Sequence, residues 1–123
     1  MWRDLFYTFG IQLSLILASI ILLIKTPPMN SLYGYRTKRS SINEEYWKYA
    51  NKFAPKVMII LAITSMVVGI ALIISKYCFN IKIDLFWYFV GSVIVNILAP
   101  IIITEARLFV KRKRENKNKK QTD

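Results

Sequence analysis

Three uncharged, apolar runs of about 20 residues dominate the sequence, at residues 5–24, 57–75 and 85–104. A helix that rises 1.5 Å per residue needs about 20 residues to cross roughly 30 Å of hydrocarbon. The segments between and after the runs are short and charged, so they cannot bury a separate soluble core. The sequence therefore predicts an all-α integral membrane protein, with a single membrane domain over residues 1–110 and a basic, disordered tail over residues 111–123.

The first run has an alternative interpretation as the apolar region of a cleaved signal peptide. It is longer than such regions usually are, and no small-residue cleavage spacing follows it. We therefore expect it to form the first of three transmembrane helices.

Positive charge is distributed unevenly among the segments outside the runs. Of the 18 lysines and arginines, seven lie between the first and second runs and eight at or beyond the end of the third. Segments rich in Lys and Arg remain on the cytoplasmic side of a membrane. We therefore expect a multi-pass protein of the cell membrane whose N-terminus is outside, and whose residues 25–56 and C-terminus are cytoplasmic.

The basic segment at residues 111–120 resembles segments that attract nucleic acid through their charge. Beside a membrane span, however, anionic lipids attract the same lysines and arginines, and these charges also orient the span. We therefore expect contact with membrane lipids and no direct binding of nucleic acid.

The sequence lacks the residues of common catalytic and metal sites. It has no histidine and one cysteine, Cys78, so the usual transition-metal sites and an internal disulfide are not expected. The adjacent Glu44 and Glu45 are explained by the solvated first turn of a helix, where acidic side chains are favourable. The apolar runs carry no charged residue of the kind that ion-coupled transporters use. We therefore predict no enzyme, no catalytic residues, no cofactor and no metal.

The apolar runs contain a few residues that predict how the helices pack. Small residues at four-residue spacing, such as Ser65 and Gly69, favour close helix contacts. Pro100 cannot donate to the carbonyl of Asn96, so we expect a bend there, with the Asn96 side chain near the freed backbone groups. The alternative is that Asn96 and the bend line a ligand cleft.

The connection between the first and second runs carries clear local signals. Pro27 and Pro28 end the first helix. Gly34 predicts a tight turn, because glycine tolerates positive φ. Ser41 and Glu44 have the spacing of a capping box, which predicts that a helix starts at Ser41.

A 100° step per residue over residues 42–54 separates an apolar arc from a charged arc, and this pattern predicts a cytoplasmic amphipathic helix on the inner leaflet. Trp47 lies at the edge of the apolar arc, where its indole can keep the N–H in polar surroundings. Asn43 lies within the arc and needs polar partners. Arg36 could tie the turn to this helix through Asn43, or it could simply meet lipid phosphate.

One ordered string of residues extends through this connection: Pro27-Pro28, Asn30, Gly34-Tyr35-Arg36-Thr37, Ser40, Asn43, Trp47 and Ala50-Asn51-Lys52. Its order and spacing resemble the SdpI-like immunity family of bacterial membrane proteins, in a short form with three spans. The resemblance covers the region from Pro27 to the end of the third run. It implicates a set of residues, called the motif residues below, in partner binding: Asn30, Gly34, Arg36, Thr37, Asn43, Trp47, Ala50 and Asn51. The chain departs from the family at Ala54-Pro55-Lys56, where members tend to carry a glycine.

The resemblance implies a function, since members of that family protect a producing cell from a secreted peptide toxin, and some hold a repressor at the membrane. We therefore expect an immunity or signalling protein whose partner is a peptide toxin or a cytoplasmic repressor protein. The chain could also associate with further copies of itself as a homo-oligomer. The alternative, from a different class, is an accessory subunit of a membrane transporter or membrane-protein complex, docked through small-residue helix faces and the amphipathic helix.

Overall fold

The computed structural model describes residues 1–122, and the fold is all-α. Helix α1 spans Trp2–Ile24, α2 spans Glu44–Cys78 and α3 spans Leu85–Thr122. All three contain a stretch that is long and apolar enough to cross a membrane, which confirms the three candidate spans. The middle helix, α2, packs against both of the others and forms the centre of the bundle.

Helix α2 is a single helix of 35 residues that includes both the segment predicted as a separate amphipathic helix and the second span. Pro55 lies inside it without ending it. The side chains of Tyr46, Trp47 and Ala50 in its first turns are buried within the protein. From here on, the connection means residues 25–43, which join α1 to α2. Because the connection and α3 cover this face, the structure does not show the separate helix on the leaflet surface that the sequence predicted.

The residue that caps α2 is Asn43, and the predicted capping box at Ser41 is not formed. Asn43 has an extended backbone, and its Oδ1 accepts a hydrogen bond from the Tyr46 N–H at 3.0 Å. Ser41 donates its own N–H to the carbonyl of Thr37 at 3.1 Å, so it belongs to the preceding turn. Asparagine caps a helix as well as serine does, and the two candidates lie only two positions apart. The helix therefore starts later than the sequence pattern predicted.

Helix α3 continues beyond the third apolar run and is helical through Thr122, across most of the segment predicted as a disordered tail. The base of this extension packs against the first turn of α2. Lys111 Nζ lies 2.7 Å from Glu45 Oε1, and the Tyr46 hydroxyl donates to Glu115 Oε2 at 2.6 Å. The division of the chain into a membrane domain and a tail stays a prediction.

The bundle is polar inside and apolar outside. The uncharged polar side chains that are almost fully buried on α1 and α3 are Thr8, Gln12, Ser19, Ser92, Asn96 and Thr104. Many large apolar side chains, including Leu17, Ile60 and Ile102, point outward and are well exposed. Such a surface is unfavourable in water but matches lipid tails, and polar side chains between helices are the usual adhesive inside a membrane.

Two amide side chains link the helices within this polar interior. Gln12 Nε2 on α1 donates to Ser92 Oγ on α3 at 3.0 Å, and Asn96 Nδ2 on α3 donates to Ser65 Oγ on α2 at 3.1 Å. The amide group of Asn96 thus joins two helices and does not bond the carbonyls that Pro100 frees. The predicted ligand cleft at Asn96 stays a prediction.

The end of the bundle away from the connection is fastened by a buried carboxylate. Asp4, near the start of α1, is 3% exposed. It accepts hydrogen bonds from Lys76 Nζ at 2.7 Å and from the Tyr77 hydroxyl at 2.6 Å. These contacts hold the start of α1 against the end of α2 and fix the two helices as antiparallel neighbours.

Gly69 allows α1 and α2 to approach closely, as its small-residue spacing predicted. A Cβ added at Gly69 would lie 2.4 Å from Thr8 Cγ2 and 3.2 Å from Tyr88 Cε1. Threonine is branched at Cβ and cannot easily turn its methyl group away. The contact between these two helices therefore depends on the missing side chain at this position.

Replacing Gly69 with Ala should lower the free energy of unfolding by about 1–3 kcal/mol, the usual cost of overpacking. The measurement is thermal unfolding of the detergent-solubilised protein. Gly91→Ala is the matched control, because a Cβ there would meet nothing within 4 Å. The double variant Gly69→Ala/Thr8→Ser removes the opposing methyl group and should recover most of the loss. A Gly69→Ala variant as stable as Gly91→Ala would contradict this packing.

Candidate functional site

Trp47 on α2 fastens the connection close to the end of α1. Its side chain is 1% exposed, and its Nε1–H donates to the carbonyl of Pro27 at 2.9 Å. Only two residues lie between the end of α1 and Pro27, which is itself buried. Because an indole offers a single donor on a large apolar ring, it can fill a buried position and still satisfy this carbonyl. The bond ties the exit of the first span to α2.

Asn51, one helical turn after Trp47, holds the backbone of Tyr35. Its Oδ1 accepts from the Tyr35 N–H at 2.6 Å, and its Nδ2 donates to the Tyr35 carbonyl at 3.2 Å and to the Trp47 carbonyl at 3.0 Å. Only a carboxamide offers an acceptor and two donors in one planar group. The Asn51 side chain is fully buried, so water cannot replace these bonds at low cost. We call the contacts of Trp47 with Pro27 and of Asn51 with Tyr35 the clasp.

Gly34 is required where the connection passes over the clasp. Its φ is +101°, and a Cβ there would lie 2.7 Å from Asn51 Oδ1 and 3.4 Å from Trp47 Cζ2. Both the backbone conformation and the lack of space exclude an ordinary side chain. The turn predicted at Gly34 is confirmed, and its place against α2 explains why the residue must be glycine.

A compact turn follows the clasp and is closed by two hydroxyl groups. The Thr37 N–H donates to Ser40 Oγ at 2.8 Å, and the Ser40 N–H donates to Thr37 Oγ1 at 3.2 Å. The Ser40 hydroxyl also lies 3.3 Å from the Tyr35 carbonyl, which it can donate to. Ser40 is fully buried. The turn is therefore joined to the same backbone that Asn51 holds.

Glu105, the first residue after the third apolar run, connects this turn to α3. The Tyr35 hydroxyl donates to Glu105 Oε1 at 2.9 Å, and Arg39 Nη1 donates to Glu105 Oε2 at 3.1 Å. Partial burial opposes ionisation of Glu105, but the hydroxyls of Thr37 and Tyr35 and the Arg39 guanidinium outweigh it and hold its pKa below the ordinary value. Burial and the Glu105 carboxylate raise the pKa of Tyr35, so its hydroxyl remains a donor.

The structure brings some of the motif residues together and leaves others apart. Those that meet at the clasp and the turn beside it are Gly34, Thr37, Trp47 and Asn51. Ala50 is fully buried and packs in a small apolar cluster with Tyr46 and Leu108, where it allows α3 to approach α2. Asn30 forms a local turn in which its Oδ1 accepts from the N–H groups of Leu32 and Tyr33 at 2.8 and 2.9 Å.

The contact between Arg36 and Asn43 that the sequence suggested is not formed. Asn43 is exposed, and its side-chain oxygen caps α2. Arg36 is also exposed, and within residues 1–122 its side chain has no hydrogen bond or ion pair. The asparagine that holds the connection is Asn51, and it acts on backbone groups. The Arg36 side chain is left available for a partner outside the chain.

Sequence reasoning missed the part played by Glu105. It lies 70 residues from Tyr35 in the chain, so no local pattern joins the two. The available signal was its position, because it is an acidic residue directly after an apolar run and before a strongly basic segment. A partly buried carboxylate is stabilised in its charged form by cationic or hydroxyl partners, and Arg39 and Tyr35 are such partners of Glu105.

The buried polar side chains at the centre of this site hold backbone groups. The residues that the structure describes contain no group of His, Cys, Asp or Glu side chains that could hold a metal ion. The buried polar atoms of Trp47 and Asn51 are occupied by backbone groups. The part of the site that is open to its surroundings is the outer surface of the connection, including the exposed Arg36.

A family model and a curated relative both relate the chain to the same protein family. A model described as the SdpI/YfhL protein family matches residues 25–104. A Bacillus subtilis (strain 168) protein described as uncharacterized and named YfhL is 28% identical over 95 residues, covering 76% of this chain and 78% of that protein. No solved structure matches the chain. The matched segment runs from the start of the connection to the end of the third apolar run and includes every motif residue.

Replacing Trp47 with Phe should lower the free energy of unfolding by about 1–3 kcal/mol, because it leaves the buried Pro27 carbonyl without its donor. Chemical unfolding of the purified protein in detergent measures the loss. Trp87→Phe is the matched control, since Trp87 is 71% exposed, and it should be nearly neutral. Equal stability of the two variants would show that the bond from Trp47 to Pro27 does not hold the connection.

Proposed function

Because the chain belongs to the SdpI/YfhL protein family, we propose that this multi-pass membrane protein is a non-catalytic immunity or signalling protein. In this proposal it protects a cell against a secreted antimicrobial peptide toxin. It acts by binding, either of the toxin itself or of a cytoplasmic repressor that it sequesters at the membrane.

The clasp is the observation that carries this proposal. A connection that only joined two spans would have no need for two almost fully buried polar side chains, Trp47 and Asn51, because burying polar groups is unfavourable unless each finds a partner. Here Trp47 fixes the backbone of Pro27, and Asn51 fixes that of Tyr35, directly before the exposed Arg36. A surface that is ordered before a partner arrives loses less conformational entropy on binding. The motif residues thus support a preformed binding surface.

Charge supports a cytoplasmic, acidic partner for this surface. Beside the connection, Arg39 and the extension of α3 surround an open pocket of about 520 Å³. Its lining is dominated by cations: Arg39, Arg112, Lys113, Lys117 and Lys120. Segments of this charge remain cytoplasmic, and complementary charge increases the rate at which a partner associates. In the proposed orientation, an acidic face of a repressor would meet this surface, while the N-terminus lies outside.

One observation favours the alternative of an accessory subunit. Gly91 is exposed on α3, and a Cβ there would meet nothing within 4 Å. Glycine in a membrane helix commonly marks the place where another helix packs. A helix of a transporter, of another membrane complex or of a second copy of this chain could occupy that face. Crosslinking in membranes followed by identification of the captured protein distinguishes these partners.

Replacing Arg36 with Ala should abolish or strongly reduce protection. The loss of one charge-assisted hydrogen bond, about 1.5–3 kcal/mol, weakens a partner's binding roughly tenfold or more. The measurement is the survival of a sensitive bacterium that expresses each variant at equal membrane levels, over a panel of secreted peptide toxins. Lys38→Ala removes the same charge two positions away and should retain protection. If the parent chain gives no protection against any toxin of the panel, the immunity proposal is wrong.

The proposed orientation can be tested with the native cysteine. Cys78 is a free, exposed thiol at the end of α2 away from the connection. A membrane-impermeant maleimide should label it on intact cells. In the variant Cys78→Ser/Ser41→Cys, which moves the thiol to an exposed position in the connection, labelling should require permeabilised cells. Labelling of that variant on intact cells would reverse the orientation.

A further inference from the structure

A cavity of about 310 Å³ lies between the connection and the three helices. Its wall is mainly apolar and includes Leu22 of α1, Met58 of α2, and Ile97 and Ile101 of α3. Residues 34–37 of the connection also line it. The volume is at the lower end of the roughly 300–1,000 Å³ that is typical of ligand pockets. The cavity can therefore hold a slender apolar group such as an acyl chain.

One buried polar side chain in this wall has no partner. Ser19 of α1 lines the cavity and is 1% exposed, and its hydroxyl makes no hydrogen bond. Buried polar atoms in folded proteins nearly always have a partner, and an exception calls for an explanation such as a bound molecule. An occupant that carries an acceptor oxygen would satisfy this hydroxyl. A purely hydrocarbon occupant would not.

The charge at the entrance also lacks a partner. Arg36 lines the same cavity and is exposed, and the residues described offer it no carboxylate. It lies in the connection that joins the ends of two apolar spans, and Lys and Arg beside such ends are expected to meet lipid head groups. Basic pockets at the ends of membrane helices on the cytoplasmic side bind anionic head groups. A guanidinium is also well suited to bind a phosphate through two parallel hydrogen bonds.

We propose that the cavity binds one anionic phospholipid. One acyl chain occupies the apolar space, an ester oxygen accepts from the Ser19 hydroxyl, and the phosphate pairs with Arg36. Ile97 and Ile101 are 43% and 40% exposed, so the α3 side of the cavity lies at the apolar outer surface of the bundle. A membrane lipid can enter from that side, whereas a water-soluble ligand would have to cross apolar surface.

Lipid binding at this place would act directly on the clasp. Residues 34–37 form one wall of the cavity, and Tyr35 within them is the residue that Asn51 holds through its backbone. A bound lipid therefore adds contacts to the connection and to all three helices at once. It should favour the clasped conformation, because a ligand that binds one state stabilises that state.

Native mass spectrometry of the full-length protein in detergent tests this site without any toxin or repressor, so its result does not depend on the proposed function. The protein is titrated with phosphatidylglycerol and, in parallel, with phosphatidylcholine of the same acyl chains. We expect one phosphatidylglycerol per chain to be retained in preference to phosphatidylcholine. Arg36→Ala should weaken its retention about tenfold, as expected for one charge-assisted contact, and Lys38→Ala should leave it unchanged. Equal losses in the two variants would mean diffuse charge attraction and would overturn the site.

The cavity itself is tested by filling it. Ser19→Leu places an apolar side chain in the space and should remove the preferential retention, whereas Ser14→Leu, at an exposed position of the same helix, should not. Retention that survives Ser19→Leu in a folded protein would overturn the proposal. If Ser19→Leu does not fold, the retention measured for Arg36→Ala still tests the proposal, because Arg36 is exposed and its replacement should leave the fold intact. A third titration with decanoate tests the other source of an acyl chain. Retention of decanoate without retention of phosphatidylglycerol would show that a free fatty acid is the ligand, and the phospholipid assignment would be wrong.

Discussion

The hydrogen bonds between the Asn51 side chain and the Tyr35 backbone are the interaction on which the connection depends. The segment between Ile24 and Glu44 contains no helix or strand of its own in the structure, so its shape must come from contacts with its neighbours. Asn51 supplies both a donor and an acceptor to one residue in the middle of that segment. The other contacts depend on this one, because Gly34 passes over the amide of Asn51, and the Tyr35 hydroxyl reaches Glu105 on α3.

The membrane sets the second constraint, because apolar side chains gain nothing by leaving lipid for the protein interior. The helices are therefore held by close approach and by polar contacts. Gly69 provides the close approach to α1, and Gln12 and Asn96 provide links to Ser92 and Ser65. The same principle extends to the connection, where Trp47 and Asn51 are buried polar groups with backbone partners. One type of interaction thus holds both the spans and the segment that we propose for binding.

Sequence alone predicted the features that depend on local pattern. The three spans followed from length and apolar composition, and the turn at Gly34 followed from the backbone freedom of glycine. The amphipathic interpretation failed because a helical-wheel pattern places polar residues toward solvent, whereas Asn51 is buried against the connection. The predicted contact between Asn43 and Arg36 was wrong for a related reason: Asn43 is the cap of α2, and its side chain bonds the N–H of Tyr46 in the first turn of that helix. Partners such as Tyr35 and Glu105, 70 residues apart, leave no periodic signal.

The central claim is that Asn51 fixes the connection through the backbone of Tyr35, and amide hydrogen exchange of the full-length protein in lipid nanodiscs tests it most directly. The Tyr35 amide should exchange much more slowly than the Leu32 amide, which is bonded only to the side chain of Asn30 at an exposed position. In Asn51→Leu, which is similar in size and has no polar group, the Tyr35 amide should lose that protection while amides in the middle of α2 keep theirs. Equally fast exchange of Tyr35 and Leu32 in the parent protein would contradict the account.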